Sequence, residues 1–202
     1  MSKMALSTRM ILVLTLITVM SGGILAGWDM VTKPKIAFHR QEALKAAIGD
    51  VLPSHDKYAT METEYGTLYI GSKNDSEAPV GIAFMAAGSG FQGELRIMVG
   101  LTPDMNALTG IKVLEQIETP GLGTKIVVDP SNKQDPYWWP AQFKGVHIAP
   151  EIVVIKNAKP TQKNEIQGIT GATISSKAVA TILNQQIADI KSAWNAKGGP
   201  ES

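Results

Sequence analysis

Thr170-Gly171-Ala172-Thr173 runs straight into Ile174-Ser175-Ser176-Lys177-Ala178-Val179, so a small glycine-containing turn delivers hydroxyls to the start of an amphipathic helical pattern. The first N–H groups of a helix lack intrahelical acceptors and lie at the positive end of the macrodipole, which suits them to a phosphate. The turn also sets a threonine oxygen beside that position. A simpler reading makes Thr173 or Ser175 an ordinary N-cap and Gly171 an ordinary turn residue. Taken alone, four small residues favour the simpler reading, and the decision passes to the rest of the chain.

A second stretch with chemical content is Glu118-Thr119-Pro120-Gly121-Leu122-Gly123. Pro120-Gly121 fits a type II turn, in which proline supplies a fixed φ and glycine a positive one. Leu122 is then an apolar side chain on a constrained loop, able to cap a core or to press on a flat ligand. A third stretch, Gly88-Ser89-Gly90-Phe91-Gln92-Gly93, makes either a tight turn or a place where backbone approaches a ligand closely.

Composition narrows the chemistry. The chain has 202 residues, a net charge of +1 and no cysteine. Disulfides, thiolate-ligated iron–sulfur clusters and cysteine nucleophiles are thereby excluded. His39, His55 and His147 are far apart and form no zinc-binding spacing. The charge balance, with no basic run interleaved with aromatics, gives no nucleic-acid footprint. No serine or threonine has a histidine partner in motif context, so a hydrolase is remote. Any redox work must be carried by an organic cofactor.

The elements that must position these residues follow from pattern. Met10 to Trp28 carries no charge and is roughly long enough to cross a hydrocarbon layer as a helix. Lys3 and Arg9 precede it and Trp28 stands at its far end, as an interfacial aromatic would. A cleaved signal peptide is the competing reading, with a cut after Ala26. Its apolar region is long for that, however, and Ile24 suits the minus-three place poorly, so a retained anchor is favoured. Lys33-Pro34 starts a connection, and Ile36 to Val51 reads as a helix stopped by Pro53. Strands are expected over 65–70, 80–86, 94–101 and 111–116, with a turn over 71–75 and further strand material over 146–155. Asp135-Pro136-Tyr137-Trp138-Trp139-Pro140 is an aromatic cluster whose default is packing. Residues 160–165 form a polar connection. A last helix runs from about Ser175 to Trp194, with Val179, Ile182, Leu183, Ile187 and Ile190 on one stripe. Lys197 to Ser202 forms a frayed tail, and the sequence contains no internal repeat.

Taken in order, the anchor, Gly90-Phe91-Gln92-Gly93, Glu118-Thr119-Pro120-Gly121-Leu122-Gly123 and Thr170-Gly171-Ala172-Thr173 resemble the FMN-binding domain family. The chain looks like the G subunit of the Rnf ion-translocating electron-transport complex and is similar to the C subunit of the sodium-pumping NADH:quinone oxidoreductase. The resemblance implies an α+β chain: a single N-terminal transmembrane helix, with its cytoplasmic stub in residues 1–30, and one mixed α/β FMN-binding domain in 31–202 on the extracytoplasmic side of the cell membrane. It implies FMN joined by a phosphoester to Thr173, installed by a separate flavin transferase that uses FAD. Thr170, Gly171, Ala172, Ser175, Ser176 and Lys177 would surround the phosphate. Glu118, Thr119, Gly121, Leu122 and Gly123 would line the ring or ribityl chain. No side-chain acid or base is required. Other membrane subunits would conduct the ion, because the span holds no intramembrane charge.

In the transferase recognition pattern an aspartate commonly stands six positions before the acceptor, where this chain has Gln167. Either the cognate transferase accepts glutamine or modification is inefficient. Two other readings stay open: a flavin-free membrane-anchored scaffold of the same complex, and a secreted small-molecule binding protein.

Overall fold

The computed structural model describes residues 6–74 and 78–196. The chain divides into two compact units, Met1–Ala43 and Leu44–Ser202. Helix α1 spans Leu6–Val51. Among the described residues it is the one helix long and apolar enough to cross a membrane, and it lies near the N-terminus. The connection expected at Lys33-Pro34 does not exist, because Pro34 lies inside α1. Proline removes one backbone hydrogen bond from a helix, a local loss. In the turn before it, Lys33 pairs with Asp29 at 2.5 Å and the Thr32 hydroxyl donates to the Trp28 carbonyl at 2.8 Å. The expected tail over 197–202 lies outside the described residues, as does Asp75, the last residue of the expected turn.

The second unit is built on one antiparallel sheet in sequence order, β1-β2-β3-β4-β5. Its strands are β1 (Lys57–Thr63), β2 (Gly66–Ser72), β3 (Pro79–Ser89), β4 (Glu94–Leu101) and β5 (Leu108–Glu115). Alternation sorts their side chains between two cores. Leu68, Ile82, Phe84, Leu95, Ile97 and Val99 face helix α3 (Thr173–Ala196), which buries Val179, Leu183, Ile187 and Ile190. Each such side chain contributes about 1.5–3 kcal/mol on burial. Ala83 and Met98 face the other way, onto Ala47, Ile48 and Val51 at the end of α1. Glycines let the layers close. A Cβ on Gly88 would come within 2.6 Å of the Ile182 side chain, and one on Gly81 within 2.9 Å of Pro53.

Strand β1 escapes a sequence reading because it is a largely exposed edge with no apolar face; only Met61 reaches the core. The expected strand over 146–155 is reduced to β6 (Val153–Ile155), plus one isolated bridge between His147 and Ala107. Its partner β7 (Glu165–Gln167) lies at the end of the stretch expected to be a connection, and the two pair in parallel. In the aromatic cluster, Trp139 on the short helix α2 (Trp138–Ala141) is fully buried and meets Phe143 edge-on at 5.1 Å, while Tyr137 stays exposed. Packing is therefore what the cluster does.

Candidate functional site at the start of the last helix

Three segments distant in sequence converge on the carboxylate of Glu118. The first is the turn between β3 and β4, closed by the Gly90 N–H donating to the Gly93 carbonyl at 2.7 Å. The second is the loop after β5, and the third is the first turn of α3. Glu118 is 3% exposed. One of its oxygens accepts from the backbone N–H groups of Phe91 (2.7 Å) and Gln92 (3.2 Å). The other accepts from the Ser175 hydroxyl at 2.6 Å. A buried carboxylate is tolerable only when its lone pairs are met in this way.

Glycine supplies the room. A Cβ on Gly123 would lie 2.7 Å from the Glu118 Cβ and 2.8 Å from its Oε2. One on Gly90 would overlap the other carboxylate oxygen, and one on Gly93 would overlap the Ile117 side chain. These three glycines accommodate protein side chains, which sequence alone does not distinguish from close approach to a ligand.

The loop itself is a wound turn. Gly121 has φ +74°, as a type II turn requires. The Thr119 carbonyl accepts from the N–H groups of Leu122 and Thr124, each at 3.2 Å, and the Thr124 hydroxyl accepts from the Gly121 N–H at 3.0 Å. The Thr119 hydroxyl accepts from the Gln92 side-chain amide at 2.9 Å, tying this loop to the first turn a second time. Leu122 is left 45% exposed, leaning toward Gly171, where a Cβ would stand 3.1 Å from its Cδ2. Gly171 has φ +84°, a conformation that favours glycine.

Helix α3 begins at Thr173, two residues earlier than the pattern suggests. Neither Thr173 nor Ser175 is its N-cap; Ala172 precedes the helix and accepts from the Ser176 N–H at 3.0 Å. The buried Ser176 hydroxyl accepts from the Ile169 N–H and donates to the Ala172 carbonyl, both at 3.0 Å. Thr170, Gly171 and Lys177 are exposed, Ala172 is buried and Thr173 is half-buried. Among the described residues, the Thr173 hydroxyl has no hydrogen-bond partner, and the N–H groups of Thr173, Ile174 and Ser175 have no acceptor. They are the free donors of a helix start.

Each of the three converging segments leaves apolar side chains in water: Phe91 on the first, Ile117 and Leu122 on the second and Ile174 on the third are 55%, 65%, 45% and 60% exposed. Phe91, Ile117 and Ile174 escape a sequence reading, since only the fold gathers them; the available signal is an apolar residue beside a glycine turn or a hydroxyl-rich helix start. A separate cavity of about 350 Å³ lies by β5 and α2, lined in part by Ile111, Val113, Ile126 and Pro140. None of the residues expected at the site lines it.

Beyond Gly123, Lys125 carries the loop into a second polar cluster. Its Nζ lies 3.2 Å from Asp129 and 3.1 Å from the Ser131 oxygen, while the Trp138 indole N–H donates to Asp129 at 3.2 Å. The Ser131 hydroxyl above all, then Trp138 and Lys125, hold the Asp129 carboxyl down to about 2 against the opposing effect of burial. This cluster holds the far end of the loop in place.

Residues 90–188 match the FMN-binding domain family, a span that contains all three converging segments. The G subunit of the Na(+)-translocating ferredoxin:NAD(+) oxidoreductase complex of Acetobacterium woodii is 36% identical over 156 residues, covering 73% of this chain and 70% of that protein. The G subunit of the ion-translocating oxidoreductase complex of Methanosarcina acetivorans is 25% identical over 190 residues, covering 89% and 92%. Among solved structures, NqrC of Shewanella oneidensis superposes with a TM-score of 0.50 at 17% identity, over 70% of this chain and 72% of that one, a likeness of fold. With this identity and coverage, the chain belongs to the family of G subunits of the Rnf-type ion-translocating oxidoreductase complexes.

Proposed function

We propose that this chain is an electron-carrying subunit of a membrane-bound ion-translocating oxidoreductase, with one FMN joined through a phosphoester to Thr173. The observation that carries the reading is the start of α3. Among the described residues, a hydroxyl without a hydrogen-bond partner stands beside three N–H groups without acceptors, on a junction of segments that leave apolar side chains exposed. The donor set fits the group. Helix-start N–H groups offset phosphate charge, and Lys177, one turn on from Thr173, adds a positive charge on the same side of the helix. Phe91, Ile117, Leu122 and Ile174 would shield a flat apolar ring from water. When bound, FMN supplies reversible uptake of one or two electrons.

The protein's part is positioning. Glu118, through Phe91, Gln92 and Ser175, fixes three segments against one another, so that their exposed apolar side chains and the acceptor hydroxyl are carried on one rigid junction. The Thr119–Gln92 hydrogen bond and the Lys125–Asp129 cluster keep Leu122 in place. A tether through the phosphate end removes the need for tight reversible binding and lets the site stay open to redox partners. On this reading α1 crosses the membrane through the Met10–Trp28 segment, the domain lies on the extracytoplasmic side, a flavin transferase matures the protein, and partner subunits conduct the ion.

Flavin fluorescence in denaturing gels tests the reading, using protein from its native membrane beside a Thr173→Ala variant. Fluorescence that survives denaturation and disappears in the variant is the expected result. A dark band from native material would instead favour a flavin-free scaffold.

A further inference from the structure

The folded domain leaves only two of the seven residues from 167 to 173, the segment that a flavin transferase would have to read, exposed. Between Gln167 and Thr173, Gly168, Ile169 and Ala172 are buried, with Ile169 2% and Ala172 6% exposed, and Thr173 itself is half-buried. The segment is also held by its backbone. Gln142 grips Gln167 at two points, its Oε1 accepting from the Gln167 N–H at 2.8 Å and its Nε2 donating to the Gln167 carbonyl at 3.4 Å. The fully buried Trp139 donates its indole N–H to the same carbonyl at 2.9 Å. Strand β7 pairs with β6, and the Gly168 N–H donates to the Ile155 carbonyl at 2.9 Å. Gly168 is so close to Val154 that a Cβ there would come within 2.9 Å of it. The Ser176 hydroxyl takes the Ile169 N–H.

An enzyme cleft that reads position 167 and reacts at position 173 needs the chain between them to lie within its walls. Only Thr170 and Gly171 are exposed in that interval. We propose that the transferase takes this segment as a locally opened, extended chain, so that attachment competes with the docking of β7 and the start of α3. The inference rests on the reading of Thr173 as the acceptor. In the step itself, Thr173 Oγ1 loses its proton and bonds to the FMN phosphorus of FAD. The pyrophosphate bond to the adenylate breaks, AMP leaves with the bridging oxygen, and the proton passes to AMP or water. When opening and closing are fast beside the chemistry, the labelling rate follows the open population.

The test uses the full chain in detergent, produced without transferase, then mixed with purified transferase and FAD and followed by covalent fluorescence. It is compared with Gln142→Ala, with Ser176→Ala, and with a synthetic peptide of residues 164–177. Amide hydrogen exchange at Ile169 is measured on the same samples, and exchange in β4 identifies any variant that has unfolded as a whole. The expected result is that the peptide and both variants are labelled at least about fivefold faster than the wild-type chain, in proportion to exchange at Ile169. A globally unfolded variant is expected at the peptide's rate. Equal rates for peptide, variants and folded chain would overturn the need for opening and leave Thr173 as the acceptor. A peptide and an unfolded chain that both stay unlabelled would overturn the acceptor assignment itself.

Discussion

Replacing Glu118 by alanine strips three donors of their acceptor at once. The Phe91 and Gln92 N–H groups and the Ser175 hydroxyl all end on this carboxylate, in a place where the residue is 3% exposed. Each donor left buried and unmet costs about 1–3 kcal/mol, and water entering at the Gln92 end offsets part of it. A net loss of about 3–5 kcal/mol is expected, large against the roughly 5–15 kcal/mol that holds a domain folded. At about 2–4 °C per kcal/mol for a domain of this size, the midpoint falls by about 10 °C. Glu118→Gln separates geometry from charge. Its carbonyl oxygen can accept from both N–H groups while its amide donates to Ser175, whose hydroxyl turns from donor to acceptor. A loss of about 1 kcal/mol is expected. The pair Glu118→Ala and Gly123→Ala adds a sharper check. A Cβ at Gly123 would stand 2.7 Å from the Glu118 Cβ, which alanine keeps, and 2.8 Å from Oε2, which it removes, so the double variant should lose somewhat less than the sum of the two single ones. Thermal unfolding of the full chain, followed by tryptophan fluorescence, reads all four. A Glu118→Ala midpoint within about 2 °C of wild type would refute the role given to this carboxylate.

The other predictions follow from single contacts. Asp129 is held down to about 2 by Ser131, Trp138 and Lys125, below its ordinary value of 3.8, so its stabilising effect is fully present above that value and is lost as pH falls through about 2. Asp129→Asn should therefore be less stable than wild type above about pH 4, with the gap closing toward pH 2 in urea titrations at several pH values. Gly171→Ala, forced to φ +84° against Leu122, should lose about 1–2 kcal/mol in the same denaturation assay. Leu122→Ala should change stability by less than about 1 kcal/mol, since Leu122 is 45% exposed, yet it should raise iodide quenching of bound flavin in the holoprotein.

What could be read from the chain was local. Periodicity placed strands β2 to β5 and the body of α3, because their apolar residues alternate or recur toward a core. The positive φ of Gly121 followed from its place after Pro120. Pattern failed where packing decides. Strand β1 has too few buried positions to signal itself, and β7 is three residues held by Gln142 and Trp139, 25 and 28 residues away. The junction of Glu118 with Ser175, 57 residues apart, has no local signature. Sequence therefore offered Glu118 as a ring-lining candidate, whereas the fold shows both its oxygens already occupied by protein donors.

The most direct measurement is peptide mass spectrometry of the protein from its native membrane. Cleavage after Lys163 and Lys177 releases residues 164–177, which hold Thr170, Thr173, Ser175 and Ser176 together. The account predicts that this peptide carries the mass of one FMN less one water, with fragment ions placing it on Thr173. An unmodified peptide, or a flavin on any of the other three hydroxyls, would contradict it.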